Sequence, residues 1–163
     1  LVEAEEHWQA LVALRPDSAP AQLRHGENLY QQGMAEEALV AFRRAIEIDP
    51  EGATAKNDAA WILATHTDPL VRDGELAVRW AEDAARATDH QQIGVLDTLA
   101  AAYAEAGRFE DAIATTGVAS KLALAANMQE QIERMQLRLR LYQDRQPYRA
   151  HPGATQAKRP ASE

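Results

Sequence analysis

Apolar positions recur at helical spacing along most of this chain, and they do so in pairs of segments. In residues 19–50, APAQLRHGENLYQQGMAEEALVAFRRAIEIDP, two short amphipathic stretches part at Gly33 and close at Pro50. Ala38, Phe42 and Ala45 share one face of the second stretch, because residues three and four apart lie on the same side of a helix. Shifting the frame back by 34 residues places Ala4 under Ala38, Trp8 under Phe42 and Pro16 under Pro50. A repeat of helix, turn and helix with this period predicts stacked hairpins, since two short helices cannot bury their own apolar faces. Small side chains at 38 and 45 admit a neighbouring helix, and Phe42 fills the space between. Gly26 suits the same close approach, at about 1 kcal/mol in helix propensity. Gly33 suits the left-handed residue that ends a helix, and Asp49 before Pro50 stops the next one.

Carried along the chain, the pattern predicts a helix over 1–14 with Trp8 in its core face, then helices over 19–32, 35–48 and 52–65. THTDPLVRDG interrupts the period with Asp-Pro and Asp-Gly steps, a loop longer than the other turns. ELAVRWAEDAARAT follows, with Asp73 as its cap and Ala77, Ala81 and Ala84 on its packing face. VLDTLAAAYAEAGRFEDAIAT carries Leu99, Ala100, Tyr103, Gly107, Phe109 and Ala112 in the repeat's slots, and its second helix runs to about Ala125. A last helix, Met128 to Asp144, has Ile132, Met135, Leu137, Leu139 and Leu141 as its apolar positions and an arginine-rich polar face. The domain reading is the second helix of a truncated repeat at 1–17, repeats at 18–52, 53–92 and 93–125, a capping helix at 127–145 and a flexible basic tail at 146–163. Beginning inside a repeat, the chain is expected to be a piece of a longer protein.

Composition narrows the classes. There is no cysteine, hence no disulfide frame or thiolate site. No apolar run reaches about 18 residues, so no membrane span is expected, and the compartment stays open. Residues 1–129 hold 10 Lys and Arg against 21 Asp and Glu, while 130–163 hold 7 against 4. So acidic a body argues against nucleic acid as the main partner. His7, His25, His66, His90 and His151 form no metal-ligand spacing, so no metal and no other cofactor is expected. Glu5-Glu6, Glu36-Glu37, Glu82-Asp83 and Glu110-Asp111 read as dipole compensation and solvated charge. No nucleophile-elbow, phosphate-loop or dinucleotide motif is present, and the expectation is a non-enzyme.

On these residues the chain resembles tetratricopeptide repeat proteins over 1–125. The stretches NDAAWILATHTDPLVRDGELAVRWAEDAARAT, LDTLAAAYAEAGRFEDAI and RLRLYQDRQPYR are also similar to carboxy-terminal repeats of large bacterial proteins. Some of those have multi-spanning membrane regions like glycosyltransferases upstream. The resemblance implies an all-α fold, a right-handed superhelix or solenoid with a concave groove lined by first helices. It implies a scaffold that binds a protein or peptide, without catalysis. The alternatives are self-association through repeat edges into a homo-oligomer, or service as an accessory domain of an upstream enzyme such as a membrane glycosyltransferase.

Mapped by that resemblance, the groove is lined by Leu23, Glu27, Tyr30 and Gln31, then Asn57, Trp61 and Thr65, then Asp97, Ala101 and Glu105. Some relatives hold a terminal carboxylate with Lys and Asn in such slots. Leu23 and Glu27 stand there instead, and Glu27, Asp97 and Glu105 favour a neutral or basic segment. Asn57 and Trp61, one turn apart, suit a peptide backbone and an apolar side chain; the competing reading packs Trp61 under the inserted loop and gives Asn57 a turn to fix. Tyr30 divides likewise between groove and inter-repeat packing. Trp80 reads as core. The end carrying Arg145, Arg149, Lys158 and Arg159 reads as flexible, with docking into the acidic groove of its own or a neighbouring molecule, or contact with anionic lipid or another partner, as the alternatives.

Overall fold

The computed structural model describes residues 17–150, which form seven α-helices and, among the described residues, no strand. They are α1 (Ala19–Gln31), α2 (Ala35–Ile48), α3 (Ala53–Thr65), α4 (Gly74–Ala87), α5 (Ile93–Glu105), α6 (Phe109–Ala125) and α7 (Gln129–Gln143). The helix expected at 1–14 and the tail residues His151, Lys158 and Arg159 lie outside the described residues.

Each helix packs on the next, in hairpins α1–α2, α3–α4 and α5–α6. First helices also touch first helices, α1 with α3 and α3 with α5, whereas no comparable packing joins α2 to α4 or α4 to α6. The stack is therefore tighter along its first helices and opens along its second helices. It is an all-α solenoid whose concave side is lined by α1, α3 and α5. Beyond α6, α7 packs back on α6, and its Arg138 reaches Asp97 of α5.

Alanine makes the close packing possible. Ala38, Ala45, Ala60, Ala77, Ala81, Ala84, Ala100 and Ala112 are all buried, and Phe42 is enclosed between α1, α2 and the next pair. Gly26 lies so near Phe42 that a Cβ added to it would sit 2.7 Å from the ring carbons Cδ1 and Cε1. Gly74 meets backbone instead: a Cβ there would be 2.9 Å from the Ala106 nitrogen, where α4 begins against the end of α5. Trp80 is half-buried against the same core.

Helix ends share one device. After α1, α4, α5, α6 and α7 a residue turns left-handed: Gly33, Asp89, Gly107, Asn127 and Arg145. The next amide then closes on the carbonyl five residues back, Met34 on Leu29 at 3.0 Å, His90 on Ala85 at 2.8 Å and Arg108 on Tyr103 at 2.8 Å. Met128 on Ala123 and Gln146 on Leu141 repeat it at 2.9 and 2.8 Å. The long α3–α4 loop is folded onto its repeat. Val71 is buried, the Asp73 amide donates to Leu63 O at 3.1 Å, and Asp73 Oδ1 caps α4 by accepting from the Leu76 amide at 2.9 Å.

One expectation needs correction. On α7 the buried stripe is Met135, Arg138 and Tyr142, not the leucine series, and Leu137 is 57 % exposed. The reason is periodicity. Positions 135, 138 and 142 are three and four apart and share a face, while 137, 139 and 141 are two apart and swing across the helix.

Candidate functional site

Asn57, Trp61 and Thr65 are spaced by four residues and form one row along α3, facing the concave side. Trp61 is the centre of that side. Its ring lies 5.9 Å from the ring of Tyr148, at an interplanar angle of 41°. The Arg138 guanidinium sits 4.9 Å from the Trp61 centroid and 4.5 Å from that of Tyr148, so one cation from α7 serves both rings. Arg138 is buried and paired with Asp97 of α5. Burial acts to lower its pKa, but the charge and hydrogen bond of Asp97 outweigh that, and the guanidinium stays above its ordinary value. Tyr142, buried beneath, has its hydroxyl pKa pushed up by burial and by Asp97.

Tyr30 reaches the same cluster from α1. Burial raises its hydroxyl pKa, a hydrogen bond with the Trp61 side chain works against that rise, and the charges of Tyr148 and Asp58 add to it. At the far end of the row, Thr65 donates its hydroxyl to Trp61 O at 2.8 Å and leaves its own carbonyl for another donor. Glu105 of α5 lies beside it. Arg72 Nε donates to Glu105 Oε1 at 2.8 Å, and the same guanidinium holds the carbonyls of His66 and Thr67, each at 2.9 Å.

Residues 146–150, assigned above to the flexible tail, cross this surface. Arg145, in its left-handed conformation, turns the chain back after α7. The segment has no regular secondary structure. Tyr148 stacks as described, Arg149 Nη2 lies 2.7 Å from Glu105 Oε2, and the Ala150 amide donates to Thr65 O at 2.9 Å. The arginine also donates from Nη1 to Ala64 O at 3.4 Å. Arg145 itself turns outward, 3.0 Å from Glu110 and over the Phe109 ring.

The concave surface thus gathers Tyr30, Trp61, Asp97 and Glu105 around one extended segment. Asn57 belongs to the row and is buried, with Nδ2 donating to Asp58 Oδ1 at 3.0 Å and Oδ1 without a hydrogen-bond partner among the described residues. Glu27 pairs with Arg24 on its own helix at 2.9 Å, and Gln31 is exposed at the end of α1. Among the described residues no hydrogen bond or ion pair links either to the cluster. Sequence reasoning missed Arg72 and Arg138. The signal for Arg138 was its register, three residues after Met135 and four before Tyr142 in an otherwise apolar stripe.

Among the described residues no group of three His, Asp or Glu side chains could hold a metal ion, and no helix is long and apolar enough to cross a membrane. Comparison with known proteins adds two findings. Residues 20–52, which hold α1 and α2, match the family model described as a tetratricopeptide repeat. The type IV pilus assembly protein PilF of Pseudomonas aeruginosa is 31 % identical over 98 residues, which is 60 % of this chain and 36 % of that protein. The chain thus spans about a third of the length of that curated relative, as the 36 % coverage states. Residues 20–52 thus match a tetratricopeptide repeat, and they form the first of the described helix pairs, which stack first helix on first helix.

Proposed function

We propose that the concave groove is a docking site for an extended, neutral or basic segment of a protein partner. Its lining comes from Tyr30, Asn57, Trp61, Asp97 and Glu105, with Glu27 and Gln31 at the α1 side. The observation that carries this reading is the Ala150 amide on Thr65 O, next to Arg149 on Glu105: a length of extended chain is held there by its backbone and by its charge. Both acids have an arginine partner, Arg138 on Asp97 and Arg72 on Glu105 Oε1, but Glu105 also takes a second cation at Oε2, so it is the acid that selects for one. The groove acts by rigid display. Its side chains sit on helices locked by alanine packing, so little order has to be gained when a partner arrives. The similarity to a protein of type IV pilus assembly supports a setting in which such docking helps build a larger protein assembly.

Panning a random peptide library on the full chain tests this. Recovered peptides are expected to lose about tenfold in affinity or more against Trp61→Ala and against Glu105→Gln, as for central interface anchors. They should keep it against Val40→Ser, on the exposed side of α2. Peptides that bind all three variants alike, or a selection that yields none, count against the groove.

A further inference from the structure

We infer that residues 146–150 are a resident occupant of the groove, and that the partner they yield to carries an aromatic side chain followed directly by arginine. The inference rests on the groove reading above and names what the groove takes.

Three parts of the surface each ask for one part of that motif. The first is the slot at Trp61. A flat ring satisfies it, because the Arg138 guanidinium lies over Trp61 and over the visiting Tyr148 together. An aliphatic side chain offers no π face to that cation. The second is Glu105, whose Oε1 is taken by Arg72 and whose Oε2 faces Arg149. Arg149 spreads further, onto the carbonyls of Ala64 and Tyr148, which uses the several donors of a guanidinium where a lysine has a single ammonium. The third is Thr65 O, one of the last carbonyls of α3, which α3 itself does not bond and which takes the amide of the residue after the arginine. That contact is blind to side chain and fixes register. Ring, arginine and amide fall on Tyr148, Arg149 and Ala150, three consecutive residues. Pro147, just before them, holds the chain out of helical geometry and aims it along the groove.

The same contacts make the occupant replaceable. Residues 147–150 are each only partly buried, and the segment adds no helix or strand to the fold. Asn57 Oδ1, buried in the same row, remains an acceptor the resident segment does not use. Tethering sets the threshold: a short segment at the end of α7 competes at an effective concentration of order millimolar.

The experiment uses the full chain. A fluorescein-labelled peptide of residues 144–151, DRQPYRAH, is titrated by anisotropy into the wild type and into Tyr148→Ala/Arg149→Ala, which empties the groove from its own side. Circular dichroism checks that the variant keeps its helices. The expected result is about tenfold tighter binding by the variant than by the wild type, the factor a millimolar internal competitor imposes on a ligand of about 100 μM affinity. A peptide with alanine for its arginine, or alanine for its tyrosine, should lose that binding, and these changes leave the protein untouched. The inference is overturned if the helical variant binds the peptide no better than the wild type does. It is overturned equally if both altered peptides bind as well as the parent, or if the wild type sediments as a dimer that the double variant abolishes. The last outcome would show the segment exchanged between copies. Library peptides that depend on Trp61 and Glu105 but lack an aromatic–arginine step would leave the groove standing and sink this inference alone.

Discussion

Gly26 and Phe42 are packed so that a hydrogen on the glycine faces the ring where any other residue would place a carbon, 2.7 Å from Cδ1 and Cε1. Two effects oppose each other at this position. Alanine in place of glycine improves helix propensity by about 1 kcal/mol. Forcing a methyl group into a filled core costs roughly 1–3 kcal/mol. Phe42 is almost wholly enclosed and has nowhere to go, so the second effect wins. Gly26→Ala is expected to lower the unfolding free energy in urea by about 1 kcal/mol. In a Phe42→Leu background the same change should cost much less, and additive losses would show that the ring is not the cause.

Gly107 is a glycine for a different reason. Nothing lies within 4 Å of where its Cβ would be, but its φ is +77°. Gly107→Ala should therefore cost about 1 kcal/mol from backbone strain alone. Gly107→Asn should recover part of that loss, since asparagine tolerates the left-handed region better. At Gly26 asparagine should be worse than alanine, because it is larger. Chemical denaturation of the four variants separates the two mechanisms by the order of their midpoints.

The contrast shows what the sequence could and could not announce. Spacing of alanine and aromatic residues made the hairpin stack legible, because close helix packing leaves few residue types that fit at 38, 42, 45 and 112. The left-handed residue that closes a helix was legible only where it is glycine, as at Gly33. Asp89, Asn127 and Arg145 adopt the same conformation, each held by the closing amide bond, and only aspartate and asparagine favour it by themselves. The row Asn57, Trp61, Thr65 was mapped as groove-facing by the family resemblance. Its occupant was placed only as an alternative, because Gln-Pro-Tyr-Arg has the composition of a loop and its contacts are all distant in sequence. Arg138 escaped notice because a charged residue in an apolar stripe reads as a solvated face until its partner Asp97, on another helix, is seen.

That buried pair leads to a test of its own. Arg138 and Asp97 are paired where water has little access, with side-chain exposures of 7 % and 17 %. Removing one charge strands the other. Asp97→Asn is expected to cost roughly 3 kcal/mol or more, since an unpaired buried cation has lost its counter-charge. Replacing both together, Asp97→Leu with Arg138→Met, should return stability to within about 1 kcal/mol of the wild type. Such a double variant should also lose the aromatic slot, as no cation then spans Trp61 and Tyr148. A double-mutant cycle in urea gives the coupling; equal and additive losses from the single variants would show that the two side chains act independently.

Tyr103 makes stability fall on the alkaline side. Burial, together with the hydroxyl's hydrogen bond to Glu82 Oε1 at 2.9 Å, pushes its pKa up from the ordinary 10.0 to about 12. Burial also raises the pKa of Tyr30. A raised pKa means that the folded state holds the proton more tightly than the unfolded chain does. The stabilisation is complete below pH 10, where both states keep the proton. It is lost as the pH climbs from 10.0 towards about 12, because the unfolded chain ionises first and gains from doing so. The protein should therefore melt at lower temperature with each step from pH 10 upward. Tyr103→Phe, which keeps the ring and removes the ionisable group, should flatten part of that fall. Its ring would still lie under Arg108, now 4.3 Å from the centroid. Thermal melts followed by circular dichroism across this range check the slope, and an identical slope in wild type and Tyr103→Phe would assign the alkaline loss to other groups.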